Sequence, residues 1–155
     1  MNILLAIDGS AASDKAVRFV GDLLALSGRE DLKVTLLHVA ESLPDELLSL
    51  TDPSRQVRYR TLADELDQAV RTEGERLLTE ERQSLIAAGF PATAIETKLV
   101  VREGRPEARK VIASLAIIDE MQNGPCDVVC LGRRGTGAAG AAMGSFPGSV
   151  AEKVL

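Results

Sequence analysis

Two stretches of the chain contain glycines and polar residues of the types that bind a phosphate group. The first is Asp8-Gly9-Ser10, which follows the apolar run Ile3 to Ile7, and the second extends from Gly132 to Gly148. Glycine lets backbone amides approach a ligand without a Cβ atom in the way. The start of a helix adds unpaired N–H groups and the positive end of its dipole. Both stretches therefore suit an anionic ligand.

The residues of the second stretch divide by their chemistry. Gly132 and Gly135 allow the backbone to come close to a ligand. Three further amides are expected at a helix N-terminus, those of Gly148, Ser149 and Val150. The Ser149 hydroxyl can also donate to a phosphate oxygen. This stretch is thus predicted to hold phosphates mainly through its backbone.

The remaining candidate binding residues lie on the strands and on the glycine loop. Asp8 is too acidic to face phosphates, and we expect it to hold ribose hydroxyls or a bridging Mg²⁺. Of the adjacent arginines that follow Gly132, we expect at most one, Arg133, to reach a phosphate. Val39 is predicted beside Asp8, where its amide and carbonyl could contact a base edge, and Ala6 on the first strand completes the set.

Each of these features also has a purely structural explanation. Glycines after a buried strand can simply make a tight turn, and Asp8 can cap the first helix. His38 is the only histidine, and no serine or cysteine is linked to it in a nucleophile arrangement. We therefore expect His38 to hydrogen-bond at a strand end. It is the conjunction of three elements at one crevice that favours a nucleotide site.

Strands and helices alternate along the chain. Short apolar runs predict strands at residues 3–7, 34–39, 95–101 and 127–131. Helical spacing predicts helices at about residues 12–27 and 56–88, and a third that begins near Pro106. Such alternation predicts right-handed crossovers and an open, doubly wound parallel sheet of the Rossmann-like α/β class. If strands one and four are neighbours, the order is 3-2-1-4 and both glycine loops face one crevice.

The helical spacing also predicts which side chains face the core. The expected faces are Ala16, Phe19, Val20, Leu23 and Leu24 on the first helix, Leu62, Leu66, Ala69, Val70, Leu77 and Leu85 on the long one, and Val111, Ile112, Leu115 and Ile118 on the third. The charges of the long helix are interpreted as a solvated face, with a possible kink at Gly74. Residues 41–55 contain two prolines and are predicted to form an irregular flap.

Composition limits the functional classes. A chain of 155 residues with 45% apolar and 26% charged residues predicts one domain, 1–155. A net charge of −5 and an aromatic share of only 3% argue against nucleic acid and against an anionic membrane surface. The sequence has no apolar run near the roughly 18 residues of a membrane span, and its first apolar run is too short for a secretory signal. We expect a cytoplasmic protein.

The two cysteines are expected to be reduced packing residues. Cys126 and Cys130 are predicted on one face of the fourth strand, about 13 Å apart at 3.3 Å per residue. This separation exceeds the reach of a disulfide bond.

Several segments, in order along the chain, resemble the universal stress protein family. They are Ile3-Leu-Leu-Ala-Ile-Asp-Gly-Ser10, Thr35-Leu-Leu-His-Val39, Glu103-Gly-Arg-Pro106, Val129-Cys-Leu-Gly-Arg-Arg-Gly135 and Gly148-Ser-Val-Ala-Glu-Lys-Val-Leu155. The resemblance implies the adenine nucleotide alpha hydrolase-like fold. It also implies a stress-response or signalling module that binds ATP with Mg²⁺ and forms homodimers, with the base at Val39 and the ribose near Asp8. The implied phosphate-binding positions are Gly132, Gly135, Gly148, Ser149 and Val150.

The sequence departs from the family pattern in two ways. Twelve residues separate Gly135 from Gly148, whereas the family signature has nine, so we align Gly148-Ser149 with the signature and infer a three-residue insertion before it. Gly144-Ser145 stays open as an alternative source of the phosphate-binding amides. The chain also stops before the family's usual fifth strand. Two alternatives therefore stay open: a nucleotide-free dimerising interaction protein, and a slow ATP hydrolase. The latter lacks a Walker-type lysine and an evident base, so we do not expect an enzyme.

Overall fold

The computed structural model describes residues 1–28, 31–42, 53–103, 109–132 and 154. Four strands are present in this part of the chain: β1 (Asn2–Ile7), β2 (Lys33–Ser42), β3 (Ile95–Glu103) and β4 (Val128–Leu131). The helices are α1 (Ala11–Ser27), α2 (Pro53–Ala87) and α3 (Arg109–Asn123), with a 3₁₀ turn at Ala92–Ala94. The predicted alternation of strands and helices is confirmed.

The strands form one parallel sheet in the order β3-β2-β1-β4. This is the predicted order, and it arises because β1 has β2 on one side and β4 on the other. Ile7 pairs with His38 of β2, and Ala6 pairs with Leu131 of β4. The carboxyl ends of β1 and β4 therefore lie next to each other.

Two apolar clusters cover the two faces of the sheet. One contains Val20 of α1 and Leu85 of α2, packed with side chains of β1 and β2. The other contains Ile117 of α3, packed with Leu4 and Leu37. Helices on both faces explain why the strands read as nearly continuous apolar runs rather than as alternating ones.

Helix α1 begins and ends with recognisable caps. Ser10 is the N-cap and accepts a hydrogen bond from the Ser13 amide, and Gly28 ends the helix at φ +59°. The predicted apolar face was partly wrong, since Phe19 is 60% exposed while Ser13, Val17, Val20 and Gly21 are buried. The small residues of this face allow close packing, so the helix turns them, and not Phe19, toward its neighbours.

Helix α2 is longer than predicted and is continuous. It begins at Pro53, in the region expected to be a flap, because a proline in the first helical turn loses no backbone hydrogen bond. Residues 41 and 42 extend β2, and the rest of the predicted flap, 43–52, lies outside the described residues. Gly74 does not interrupt the helix. It is buried where a Cβ atom would come within 2.7 Å of the Leu99 side chain.

The predicted apolar face of α2 was only half right. Leu78 and Leu85 are buried, whereas Leu62 and Leu66 are 50% and 43% exposed. The helix is long, and only the part from Gly74 onward has buried residues among those described. Leu62 and Leu66 lie before that part.

Helix α3 and the cysteines also correct the sequence analysis. Leu115 is 52% exposed, and the buried side chains are Ser114, Ala116 and Ile117; those of 111 and 112 are outside the described set. Cys126 packs on the α3 side of the sheet and Cys130 on the opposite side. They do not share a face because β4 begins only at Val128. Both thiols are free, and burial raises the pKa of each, which favours the unreactive thiol form.

Among the helices that the structure describes, not one has the length and apolar character needed to cross a bilayer.

Candidate functional site

The candidate site lies at the carboxyl edge of β1, β2 and β4. Register puts Ile7 beside His38 and Ala6 beside Leu131, so the next residues along each strand are Asp8, Val39 and Gly132. In a parallel sheet these positions share one edge. The crevice at the point where the strand order reverses, between β1 and β4, is the usual ligand position in this class of sheet.

Hydrogen bonds fix the loop between β1 and α1. The Ser10 amide donates to Asp8 Oδ1 (3.1 Å), and the Asp8 amide donates to Ser13 Oγ (3.3 Å). The Ser13 amide in turn donates to Ser10 Oγ (3.2 Å). Gly9, between them, has φ +71°, a left-handed conformation that glycine adopts without strain. Ser10 is thus the N-cap of α1. The Asp8 carboxylate, two residues earlier, accepts a hydrogen bond from the Ser10 amide and so closes the loop between β1 and α1.

Gly132 comes very close to the first turn of α1. A Cβ atom there would lie 2.9 Å from the Ala12 carbonyl carbon and 2.9 Å from the Ser13 amide nitrogen. Both are backbone atoms and cannot move aside as the end of a side chain can. Glycine is therefore required by packing at this position, which supports the structural explanation given for it. The same contact joins the end of β4 to the start of α1.

The nine predicted binding residues divide into two groups. Ala6, Asp8, Val39 and Gly132 are described, and the structure brings them to the same edge of the sheet. Ala6 and Val39 contact the apolar cluster on the α3 side. The other five lie outside the described residues: Arg133, Gly135, Gly148, Ser149 and Val150. Their roles stay predictions, although Val154 just beyond them is helical and packs on the α3 side.

His38 has the role that we expected from the sequence. Its Nδ1 lies 2.9 Å from the Ile7 carbonyl oxygen. Because a carbonyl only accepts, Nδ1 carries the proton and donates it, which leaves Nε2 as the acceptor in the neutral ring. The imidazole thereby ties the carboxyl ends of β1 and β2 together.

Sequence reasoning missed a cleft of about 600 Å³ between α1 and α2. The β1–α1 loop and His38 form its floor, and side chains of the two helices form its walls. Its lining residues are Asp8, Gly9, Asp14, Val17, Arg18, His38, Glu73, Arg76, Leu77, Glu80, Glu81 and Ser84. The lining residues that belong to α2 recur three and four residues apart, as residues on one side of a helix do. Helical periodicity applied to the charged residues of α2 could therefore have identified this wall of the cleft from the sequence.

The charges of this cleft are mostly negative. It contains five carboxylates and two guanidinium groups. Arg76 lies against both Glu73 (2.6 Å) and Glu80, and its hydrogen bond lowers the pKa of Glu73. Burial, followed by the nearby Asp14 carboxylate, raises the pKa of Glu81, while Arg18 acts in the opposite direction. The carboxylates in these walls repel phosphate groups. A nucleotide bound at this edge of the sheet would therefore direct its phosphates away from the cleft and toward Gly132.

The described residues contain no group of three histidine, cysteine, aspartate or glutamate side chains arranged to hold a metal ion. Mg²⁺ commonly keeps several water ligands and binds through one or two carboxylates together with substrate phosphates, so a single carboxylate such as Asp8 is compatible with this ion.

The fold and this edge define a class of protein: open parallel α/β sheets with a ligand crevice at the point where strand order reverses. The universal stress protein family profile matches residues 1–155, so the chain belongs to the universal stress protein family. The resemblance stated from the sequence is confirmed. No curated protein matches the sequence.

Solved structures of this family share the fold. Universal stress protein UspA from Lactobacillus plantarum is 19% identical with a TM-score of 0.66, covering 99% of this chain and 89% of that one. A family member from Burkholderia pseudomallei is 22% identical with a TM-score of 0.55, covering 99% and 86%. A family protein from Arabidopsis thaliana, solved with AMP bound, is 19% identical with a TM-score of 0.52, covering 91% and 82%.

Proposed function

We propose that this protein is a stress-response or signalling module that binds an adenine nucleotide at the carboxyl ends of β1 and β4. The observation that carries the proposal is the convergence of Asp8, Val39 and Gly132 at one edge of the sheet. Membership of the universal stress protein family, with one structural neighbour solved with AMP bound, supports a nucleotide as the ligand class.

The chemistry of the edge sets the orientation of the ligand. Asp8 lines the acidic cleft, which extends from it between α1 and α2. Phosphates are therefore expected over Gly132 and the amides of Gly135, Gly148, Ser149 and Val150, with Arg133 contributing one positive charge. The ribose lies at Asp8 and the base at the backbone of Val39, beside Ala6. ATP with Mg²⁺ is the expected form, since the metal offsets phosphate charge near the carboxylates.

Thermal unfolding with nucleotide tests the proposal. A ligand that binds only the native state stabilises it by mass action, so Mg-ATP at about a hundred times its dissociation constant should raise Tm by about 5–10 °C. AMP and cAMP should be measured alongside. The absorbance ratio at 260 and 280 nm of the purified protein reports carried nucleotide sensitively, because the sequence has no Trp and one Tyr.

Asp8→Asn and Asp127→Asn form a matched pair of variants. Asp8→Asn keeps an oxygen for the Ser10 amide and removes the charge that holds ribose hydroxyls, so it should reduce the nucleotide-dependent shift. Asp127 accepts a hydrogen bond from the Asn2 amide (2.8 Å) at the opposite edge of the sheet, so Asp127→Asn should leave the shift unchanged. Gly135→Val should also reduce it. If no nucleotide shifts Tm and Gly135→Val behaves like the parent, the proposal is wrong.

A nucleotide-free interaction protein is the second candidate. The observation that favours it is the packing role of Gly132, which accounts for that glycine without a ligand. Protein purified free of nucleotide, with a homodimer that is indifferent to Mg-ATP, would support this function. We propose no catalytic role: turnover of ATP that disappears in Asp8→Asn would be needed to support a slow hydrolase.

A further inference from the structure

The cleft between α1 and α2 opens at the edge of the sheet where we propose that a nucleotide binds. Asp8 and Gly9, in the loop after β1, line this cleft. The neighbouring strands β2, β1 and β4 place Val39, Asp8 and Gly132 in that order across the edge. A nucleotide has its base, its ribose and its 5′-phosphates in the same order. In the proposed orientation the ribose therefore lies where the edge meets the cleft.

The walls of the cleft begin directly beside this ribose position. A Cβ atom added at Gly9 would lie 3.5 Å from Leu77 Cδ1 of α2, which is ordinary van der Waals contact. The loop is also held in place, because the Ser10 amide donates to Asp8 Oδ1 (3.1 Å) and the Asp8 amide donates to Ser13 Oγ (3.3 Å). A group attached to the ribose at Asp8 would therefore lie close to the side chains of α1 and α2.

The negative charges of the cleft exceed its positive charges. Its lining has five carboxylates and two guanidinium groups, a balance of −3 when all are ionised. Arg76 is shared by two of the carboxylates, those of Glu73 and Glu80. Burial, and then the nearby Asp14 carboxylate, raises the pKa of Glu81, so these two acids repel each other. A further negative charge in the cleft would add to this repulsion.

Given the proposed function, on which this step rests, we infer that the cleft restricts the site to adenine nucleotides whose 2′ and 3′ hydroxyls carry no phosphate. The 5′-phosphates point toward Gly132, whereas the 2′ and 3′ hydroxyls are held at Asp8. A phosphate on either hydroxyl would enter the mouth of the cleft and bring a charge of about −1.5 to −2 at pH 7 beside the carboxylates. Like charges placed together exclude a ligand that the rest of a site could bind. The excluded class includes NADP, whose adenosine carries a 2′-phosphate.

Calorimetric titration of the full chain with three ligands tests this selection. The ligands are AMP, adenosine 2′,5′-bisphosphate and adenosine 3′,5′-bisphosphate, which differ only in the phosphate on the ribose. EDTA is present so that no divalent cation neutralises the added phosphate. We expect each bisphosphate to have a dissociation constant about tenfold or more above that of AMP. This ratio should fall as salt rises, because salt screens the repulsion.

Two double variants separate the charge of the cleft from the size of the added phosphate. Asp14→Asn with Glu81→Gln removes two cleft charges and keeps the size of both side chains. This pair should reduce the ratio of dissociation constants by about threefold or more. Asp22→Asn with Glu75→Gln is the matched control, since it changes the net charge equally at exposed positions of the same two helices that do not line the cleft. The control pair should keep the ratio of the parent.

The outcomes distinguish this selection from the nucleotide site itself. If AMP binds the parent and either bisphosphate binds as tightly, the selection is wrong while the proposed site stands. An equal ratio in the cleft pair and the control pair would assign the effect to size and would also refute the selection. If AMP, ADP and ATP all fail to bind, the site and the selection fail together. If the cleft pair does not fold, Glu80→Gln, at an exposed carboxylate of the same wall, replaces it and should lower the ratio.

Discussion

At the scale of single residues, the candidate edge combines packing requirements with ligand-binding chemistry. Gly132 was predicted to admit a phosphate, yet the backbone of Ala12 and Ser13 by itself excludes a side chain there. Asp8 was expected to hold a ribose or metal, and one of its oxygens also closes the loop before α1. Variants at such residues change stability and binding together, so each needs a measurement without ligand.

Gly132→Ala tests the packing role. The added methyl group would meet two backbone atoms at 2.9 Å, and we expect a loss of about 1–3 kcal/mol in the free energy of unfolding. Urea unfolding without nucleotide measures this loss directly. An alanine variant as stable as the parent would show that β4 can move away from α1 without cost.

Glu81→Gln tests the electrostatics of the cleft. A carboxyl whose pKa is raised by folding stabilises the native state below its unfolded pKa, and that stability is lost as pH rises through the folded pKa. At pH 7 the parent therefore holds an unfavourable charge, and Glu81→Gln should raise Tm by about 1–3 °C.

Two further measurements serve as controls for the predicted rise in Tm of Glu81→Gln. Near pH 4 the parent and Glu81→Gln should differ little in Tm, since the native carboxyl is then largely protonated. Glu75→Gln, at an exposed position of the same helix, should change Tm little at either pH. A lower Tm for Glu81→Gln at pH 7 would mean that the electrostatic attraction of Arg18 for Glu81 outweighs the cost of burying this carboxylate.

At the scale of elements, helix contacts depend on small residues as much as on large apolar ones. Gly21 of α1 faces Ala88, which follows the end of α2. Gly74 of α2 similarly packs against Leu99 and His38. Apolar periodicity predicted the helices correctly but misplaced Phe19 and Leu115 on buried faces. Periodicity counts apolar side chains, whereas close approach of two helices needs the absence of a side chain.

A double-mutant cycle tests the contact between α1 and α2. Alanine in place of a helix-interior glycine normally adds about 1 kcal/mol of stability. At Gly21 its Cβ atom would lie 2.8 Å from that of Ala88, so Gly21→Ala alone should give no gain or a loss. In the Ala88→Gly background the same change should stabilise by about 1 kcal/mol. Chemical denaturation of the four proteins measures the coupling, and strict additivity would contradict the contact.

At the scale of the whole molecule, the sheet and its two apolar clusters form the stable unit, and the described side chains of α2 before Gly74 are at most half-buried. Opening of a segment without buried side chains costs less than global unfolding.

Hydrogen exchange by residue tests this division. Amides of residues 57–70 should exchange faster than those of 77–87 at low protein concentration, because only the latter segment packs on the core. Uniform protection along α2 would show that the helix opens as one unit.

The sequence by itself determined the family, the order of strands and helices, and the sheet order 3-2-1-4. The family follows from the resemblance of several segments in order along the chain, and the order of strands and helices from local periodicity. The sheet order was predicted on the condition that strands one and four are neighbours, within a parallel sheet that right-handed crossovers cover on both faces. It also predicted that Asp8, Val39 and Gly132 lie at one edge of the sheet, because the carboxyl ends of parallel strands meet there.

Only the tertiary structure decided which side of each helix is buried, how far α2 extends past its packed half, and that an acidic cleft lies beside Asp8. Each of these depends on distances between elements remote in sequence. No local pattern encodes the 2.9 Å approach of Gly132 to the backbone of α1, because that distance results from the packing of the whole sheet against its helices.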